Sequence, residues 1–308
     1  MSAQSVITSD LQSERALFGF DTPRFREDFD EESFDFRHVF NVDHPLFTRE
    51  RMRHLLTNPA TKNNVYYNAG DIRVDQRWDS VPARTKPVEE VFDAVENSGA
   101  WIALLRVNED PEYNLLLEDC LRELKQLSGR PIDDDKKTQE ADIYITSPRR
   151  VTMYHIDPIC NFLMQISGEK QIHIFDRKDR DVLPEEELER YWSLNDYAVT
   201  YRQELEDRAK VFTLRPGTGV HIPLNNPHWV KNGDEISVSL SINYQYKDDR
   251  RKNIYLANYY LRQAGLKPKP PGTSKIIDHM KASAVTVGRK IDSQFKKLKT
   301  TKQSATKI

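Results

Sequence analysis

The chain has 308 residues, 31% of them charged, and a mean hydropathy of −0.72. It is long enough to bury a sizeable core, and it holds no apolar run approaching the ~18 residues of a membrane span. The net charge of −2 conceals a split: residues 267–308 hold eleven Lys or Arg against Asp278 and Asp292, a net +9, which leaves −11 on the rest.

Residues 1–33 read as a polar, acidic and partly disordered N-terminus with no secretory apolar stretch. Two cysteines, Cys120 and Cys160, make no disulfide framework, so a reducing compartment such as the cytoplasm is the expectation. Phe34, Phe36, Val39 and Phe40 supply the first apolar anchor. A short helix is expected around 51–56 and a strand over 65–67, closed by a turn at Asn68-Ala69-Gly70-Asp71. Val88, Val91, Phe92 and Val95 fall at helical spacing and predict a helix over 87–97. A strand is expected over 101–107. A second helix over 111–127 carries Tyr113, Leu116, Leu117, Cys120, Leu121 and Leu124 on one face, which makes Cys120 a core residue.

From Ala141 the period changes to two. Strands are expected over 142–146, 151–157, 161–166, 170–175, 211–214 and 236–244, with turns at Ser147-Pro148-Arg149-Arg150, Arg215-Pro216-Gly217-Thr218-Gly219 and Asn232-Gly233-Asp234. In the last strand Ile236, Val238, Leu240 and Ile242 share one face. Ser237, Ser239, Ser241 and Asn243 form a small polar face able to line a cavity. The acidic, partly helical stretch 183–197 reads as an insertion. Many short strands between turns predict a mainly β fold, a double-sheet jelly roll with helices before and after it.

The C-terminal part differs. Residues 253–264 read as a helix, the prolines at 268, 270 and 271 as a break, and Ser274 as the cap of a last helix over 274–298. Ile277, Met280, Ala284, Val287, Ile291 and Leu298 follow a roughly heptad spacing on it, with Phe295 one position off. An apolar seam on a basic helix suits a partner helix, including a second copy in a homodimer, an anionic membrane surface, or nucleic-acid phosphates. Packing on the chain's own barrel is the fourth reading.

The chemistry centres on His155 and Asp157. Two residues apart on a strand, they point to one face and offer an imidazole and a carboxylate. A third ligand must come from elsewhere; His228 is the first candidate and His221 the competitor. Two His and one carboxylate with open positions is the facial arrangement of non-haem Fe(II) oxygenases.

The pattern T-x-x-H-x-D-x-x-x-N-F-x-x-Q-I-x-G-x-K runs from Thr152 to Lys170. G-x-x-x-x-I-P-x-x-x-x-H runs from Gly217 to His228, ahead of a serine-alternating strand ending at Asn243. These motifs resemble those of the JmjC and cupin-like 2-oxoglutarate oxygenases, and within them the branch typified by the asparaginyl hydroxylase of hypoxia-inducible factor. The resemblance covers roughly residues 34–250, with a double-stranded β-helix barrel core over about 141–247 and an N-terminal α/β elaboration; the basic helical segment 251–308 lies outside it. It implies His155, Asp157 and His228 as Fe(II) ligands, and Lys170 with Thr152 on the distal carboxylate of 2-oxoglutarate. It places Asn161 and Asn243 near the metal-bound end of the cosubstrate or the O2 site. Tyr154, Tyr244 and Trp229 are read first as aromatic core and second as pocket walls, Leu163 stands where close relatives have an aromatic, and Cys160 is a free thiol beside the ligands. The implied activity is hydroxylation, most of all of a protein or peptide side chain. The alternatives are an RNA or small-molecule substrate, another metal-dependent cupin enzyme, or a non-catalytic regulatory protein.

Overall fold

The computed structural model describes residues 16–20, 25–81, 84–132, 139–194, 199–246 and 249–289. Its strands are β1 (Phe18–Gly19), β2 (Phe34–His38), β3 (Val65–Asn68), β4 (Trp101–Leu104), β5 (Glu140–Thr146), β6 (Val151–His155), β7 (Cys160–Ser167), β8 (Lys170–Ile174), β9 (Lys210–Leu214), β10 (Thr218–Ile222), β11 (His228–Asn232) and β12 (Ser237–Tyr244). Its helices are α1 (Phe25–Asp28), α2 (Arg49–Thr57), α3 (Val88–Asp93), α4 (Pro111–Ser128), α5 (Glu185–Leu194), α6 (Asp249–Gln263) and α7 over 275–289.

The chain divides into two units. The first spans residues up to 176 and 201–246 and carries all twelve strands with α1 to α4; the second gathers 177–200, with α5, and the segment from 247 on, with α6 and α7. In the first unit eight strands form one antiparallel sheet in the order β1-β2-β10-β7-β12-β5-β4-β3, and four form another in the order β6-β11-β8-β9. From β5 onward the chain passes back and forth between the two sheets, which is the winding of the expected jelly roll.

Alternation along the strands sorts the side chains into two apolar layers. Leu163, Val220 and Ile222 of the large sheet meet Ile172, Ile174, Leu214 and Val230 of the small one in the barrel interior. Phe162, Met164, Ile166, Leu240 and Ile242 face the other way, onto the helical layer. There α4 presents Tyr113, Leu116, Leu117, Cys120, Leu121 and Leu124, all buried. Each such side chain contributes about 1.5–3 kcal/mol by leaving water. α4 begins where Asp110 accepts from the Glu112 N–H ahead of Pro111 at the first helical position, and ends on Gly129 in the left-handed conformation.

The polar reading of residues 1–33 misses what their aromatics do. β1 pairs with β2, and β2 pairs with β10, so this segment extends the large sheet. Phe18, Phe20, Phe29 and Phe34 pack around Phe162 of β7, and Phe25 packs edge-on against Phe34. Residues 1–15 and 21–24 of that reading lie outside the described residues.

In the second unit, Arg262 of α6 donates to both oxygens of buried Glu189 of α5, at 2.7 and 2.9 Å. On α7, Ile276, Ile277, Met280 and Val287 are exposed. Ile291, Phe295 and Leu298 of the expected seam lie outside the described residues, as do the basic residues from Lys290 on. No helix among the described residues is long and apolar enough to cross a membrane.

Candidate metal centre

β6 is an edge strand of the small sheet and pairs with β11. His155 sits opposite His228, and Thr152 opposite Val230. Two steps on β11 are thus matched by three on β6, so β6 carries one extra residue, a bulge. The bulge puts Thr152 and His155, three apart, on the same inward face. It turns Tyr154 outward, where its ring meets Phe175 and Tyr201. β6 ends at His155, two residues earlier than the strand expected from the sequence. Asp157 therefore reaches the site from the turn before Pro158. Asn225, left-handed at φ 61°, holds that turn by donating its backbone and side-chain N–H groups to the Asp157 carbonyl at 3.1 and 2.8 Å.

Ligand atoms of His155, Asp157 and His228 all lie within 4.8 Å of one another. His155 Nε2 is 4.0 Å from Asp157 Oδ1, and His228 Nε2 is 3.7 Å from Asp157 Oδ2. Each imidazole is oriented by its own strand. His155 Nδ1 lies 2.7 Å from the Met153 carbonyl and His228 Nδ1 3.0 Å from the Asn226 carbonyl. A carbonyl only accepts, so both Nδ1 atoms carry the proton and both Nε2 lone pairs face the carboxylate. Burial, and then the neighbouring His155, push the His228 pKa down to about 4, which keeps it a neutral ligand. Two imidazoles and a carboxylate converging from one side form a donor set that fits Fe(II) and leaves positions for further ligands.

Away from this end, along β8 and β11, His228 pairs with Ile174 and Asn232 with Lys170, four residues further down the ladder. That separation is about 13 Å at 3.3 Å per residue. Lys170 is 4% exposed and makes no ion pair or side-chain hydrogen bond among the described residues. Burial alone pushes its pKa down to about 7. Thr152 and Ile172 flank Val230 on the inward face between the two ends.

The facing wall belongs to the large sheet. Asn161 of β7, Asn243 of β12 and Glu140 of β5 form one rung; Leu163, Ser241 and Asp142 form the next. A hydrogen-bonded chain crosses them. Asn161 Nδ2 donates to Ser241 Oγ at 2.7 Å, Ser241 Oγ to Asn243 Oδ1 at 2.8 Å, and Asn243 Nδ2 to Asp142 Oδ2 at 2.7 Å. The Arg106 backbone N–H donates to Asp142 Oδ1 at 2.8 Å. At the far end of the chain Asn161 Oδ1 is buried with no partner among the described residues. Burial, and then the charge of Glu140, raise the Asp142 pKa to about 8.

The other residues singled out from the sequence lie elsewhere. Trp229 stacks on His173 and donates to Glu206 on the outer face of the small sheet. Tyr244 and Cys160 belong to the outer core with Phe162, not to the interior. Leu163 lines the interior. His221 is fully buried, with Nδ1 on the Asn161 carbonyl and Nε2 accepting the Asp30 N–H, and is not part of the ligand cluster. Sequence reading missed Trp78, whose ring lies 5.6 Å from that of His155 and whose indole Nε1 is buried without a partner among the described residues. Trp101 and Tyr144 continue the aromatic wall from it. Trp78 opens a single 3-10 turn, Trp78–Ser80, too short to show periodicity, so no strand or helix pattern points to it.

Comparison with known proteins agrees with this architecture. HSPB1-associated protein 1 of Bos taurus is 26% identical over 125 residues, 38% of this chain and 26% of that protein, so the match spans about a quarter of the relative. The X-ray structure of Escherichia coli ycfD superposes with a TM-score of 0.52 at 14% identity, over 89% of this chain and 69% of that one. A structure of YcfD, described as a ribosomal oxygenase, in complex with cobalt and 2-oxoglutarate matches with a TM-score of 0.48 at 14% identity, over 88% and 67%. The pattern of the cupin-like domain family matches residues 37–250, and the chain belongs to that family.

Proposed function

We propose that this protein is an Fe(II)- and 2-oxoglutarate-dependent oxygenase that hydroxylates a protein or peptide side chain. The observation that carries the reading is Lys170: a buried ammonium without a counter-charge among the described residues, on the same inward sheet face as His155 and His228, where Asp157 joins them. An unpaired buried cation is costly, and a carboxylate guest removes the cost. The distal carboxylate of 2-oxoglutarate is that guest, and Thr152 is the hydroxyl that joins Lys170 on it.

His155, Asp157 and His228 hold the metal, the first two from the edge of the small sheet and the third from its neighbour. Asn161 and Asn243 lie along the metal-bound end of the cosubstrate. When bound, Fe(II) with 2-oxoglutarate and O2 supplies oxidative decarboxylation and hydroxyl transfer to a C–H bond. The chain's own task is placement. The backbone carbonyls of Met153 and Asn226 fix the imidazole tautomers, Asn225 fixes the Asp157 turn, and the apolar interior excludes water. Trp78, against His155, is a wall of the substrate approach.

Anaerobic titration with Fe(II) and then 2-oxoglutarate tests the reading. Wild-type protein should give the weak visible metal-to-ligand band, and Lys170→Ala should need far more 2-oxoglutarate for it. A bound metal without any band would favour another metal-dependent cupin chemistry, and no metal binding a regulatory protein. We further infer a homodimer through α7, because Ile276, Met280 and Val287 lie exposed along one side of it. Light scattering of wild type and of Met280→Glu checks this; equal masses refute it. Contact of the basic tail with nucleic acid or an anionic surface is read from charge alone, and loss of salt-dependent RNA binding on removing residues 267–308 would support it.

A further inference from the structure

We infer that Asp142 is a positioning residue: its proton sets the direction of the Asn243–Ser241–Asn161 hydrogen-bond chain, and hence whether Asn161 offers an acceptor or a donor to the metal-bound end of 2-oxoglutarate. The inference rests on the proposed function.

In the structure every link donates toward Asp142. Asn161 gives its N–H to Ser241, Ser241 its O–H to Asn243, and Asn243 its N–H to the Asp142 carboxylate. That direction commits one Asn161 N–H to Ser241 and leaves Oδ1, on a residue only 5% exposed, facing the interior without a partner among the described residues. The oxygens of a 2-oxo acid only accept. An acceptor turned toward them is the wrong end of the amide.

Turning Asn161 alone does not solve this. Its Oδ1 would then need the Ser241 hydroxyl proton, and Asn243 Oδ1 would lose its donor. Turning Asn243 as well brings its Oδ1 against Asp142 Oδ2, two acceptors in contact, unless Asp142 carries a proton. With that proton, every link reverses and is satisfied. Asp142 donates to Asn243, Asn243 to Ser241, Ser241 to Asn161, and Asn161 N–H points at the cosubstrate. Stopping the reversal at any link leaves a buried polar atom unpaired. The proton moves with the amide orientations and no covalent bond other than O–H changes.

The surroundings let Asp142 hold that proton near neutral pH. It is 2% exposed, and burial is the main cause raising its pKa to about 8. Glu140 on its own strand and Asp157 in the turn after β6 push it up further; the Arg106 N–H and the Tyr144 hydroxyl favour the anion. Glu140 is itself raised by burial, and the Arg106 side chain is engaged by Glu109 at 3.4 Å.

The test is 2-oxoglutarate affinity against pH, on Fe(II)-loaded protein under anaerobic conditions, read by the metal-to-ligand band and by calorimetry in two buffers. If both Lys170 and Asp142 must be protonated to bind, the wild-type Kd should rise about 200-fold from pH 7.5 to 9, with pKa values near 7 and 8. If Lys170 alone titrates, the rise is about 25-fold. Asp142→Asn donates permanently to Asn243 and should show the smaller rise, with affinity at pH 9 close to that of wild type at pH 7.5 once the Lys170 contribution is removed. Ser241→Ala cuts the chain without touching an ionisable group and should show the smaller rise too. A wild-type rise of only about 25-fold, or either variant following the 200-fold course, would overturn the inference. Absence of the band in wild type at every pH would instead remove the proposed function, and the inference with it.

Discussion

His155 and His228 face each other across one rung of the β6–β11 ladder, ring centroids 4.2 Å apart, each with Nδ1 on a carbonyl two residues earlier in its own chain. The pair is thus oriented by backbone alone, before any ion arrives. Replacing either residue by alanine should abolish Fe(II) or Co(II) binding while leaving far-UV dichroism unchanged, because both side chains sit at strand ends. Equilibrium dialysis with Co(II) measures this, and retained stoichiometric binding in His228→Ala would sink the assignment.

Lys170 should cost the empty protein stability. Its folded pKa lies below the ordinary lysine value, so the unfolded chain binds more protons between pH 7 and 10.5, and this group's contribution to stability rises with pH across that window. Lys170→Met should stabilise the metal-free protein by about 2–4 kcal/mol at pH 7 while destroying 2-oxoglutarate binding. Urea unfolding of the two proteins decides it; a less stable variant would mean that the ammonium has a partner in solution.

His38 gives a slope of the same sign in a lower pH window, away from the ligands. Burial pulls its pKa down to about 4, and it needs to be neutral: Nδ1 accepts the Phe40 N–H while Nε2 donates to the Thr218 carbonyl. The stability it contributes is complete above its unfolded value of 6.5 and is lost as pH falls through 4. The loss should approach about 3 kcal/mol, at 1.36 kcal/mol per pKa unit. Thermal melts of wild type and His38→Gln from pH 7 to 4 should converge on acidification, and parallel curves would contradict this.

Trp78 lies close enough to His155 to report on the ion. Binding of Co(II) should quench tryptophan emission, and Trp78→Phe should lose the greater part of that quench with metal affinity within about threefold of wild type. An undiminished quench in the variant would place the reporter at Trp101.

Gly168 fixes where Lys170 begins. It is left-handed at φ 71°, and a Cβ there would stand 2.4 Å from the Ile236 carbonyl oxygen. Gly168→Ala should therefore cost about 2–4 kcal/mol, more than a mid-strand Gly→Ala change, since both backbone strain and a backbone clash arise. Chemical denaturation checks the size of the loss.

Much of this was legible beforehand, because its signals were local. Strand alternation placed Asn161, Leu163 and Gln165 on one face of β7, and the apolar face of α4 was read residue by residue. The motif spacing brought His155, Asp157 and His228 into one hypothesis. The failures have physical causes. The regular strand drawn through Asp157 ignored the bulge at 153–154, which no pattern of two announces. β2, β10 and β11 blurred because their sequences carry His and Gly at positions buried only by long-range pairing, with the exposed Arg37 and Lys231 among them. The phenylalanines of the first 34 residues were diluted by the acids between them, and Trp78 belongs to a single three-residue turn. A hydrogen-bond chain such as Asn161–Ser241–Asn243–Asp142 depends on register between three strands, which single-strand periodicity does not encode.

The position of β12 also has a consequence for how the molecule is made. β12 lies between β5 and β7 and pairs with both, while β2 waits for β10, some 180 residues later. During synthesis β5 and β7 therefore emerge long before the strand that separates them, and their open edges must avoid pairing with each other or with a neighbouring chain. Closure is a late, non-local event, slow by the rule that distant contacts cost loop entropy first. Polypeptides halted before residue 237 would expose both edges at once, and such fragments are the ones expected to aggregate or to occupy chaperones.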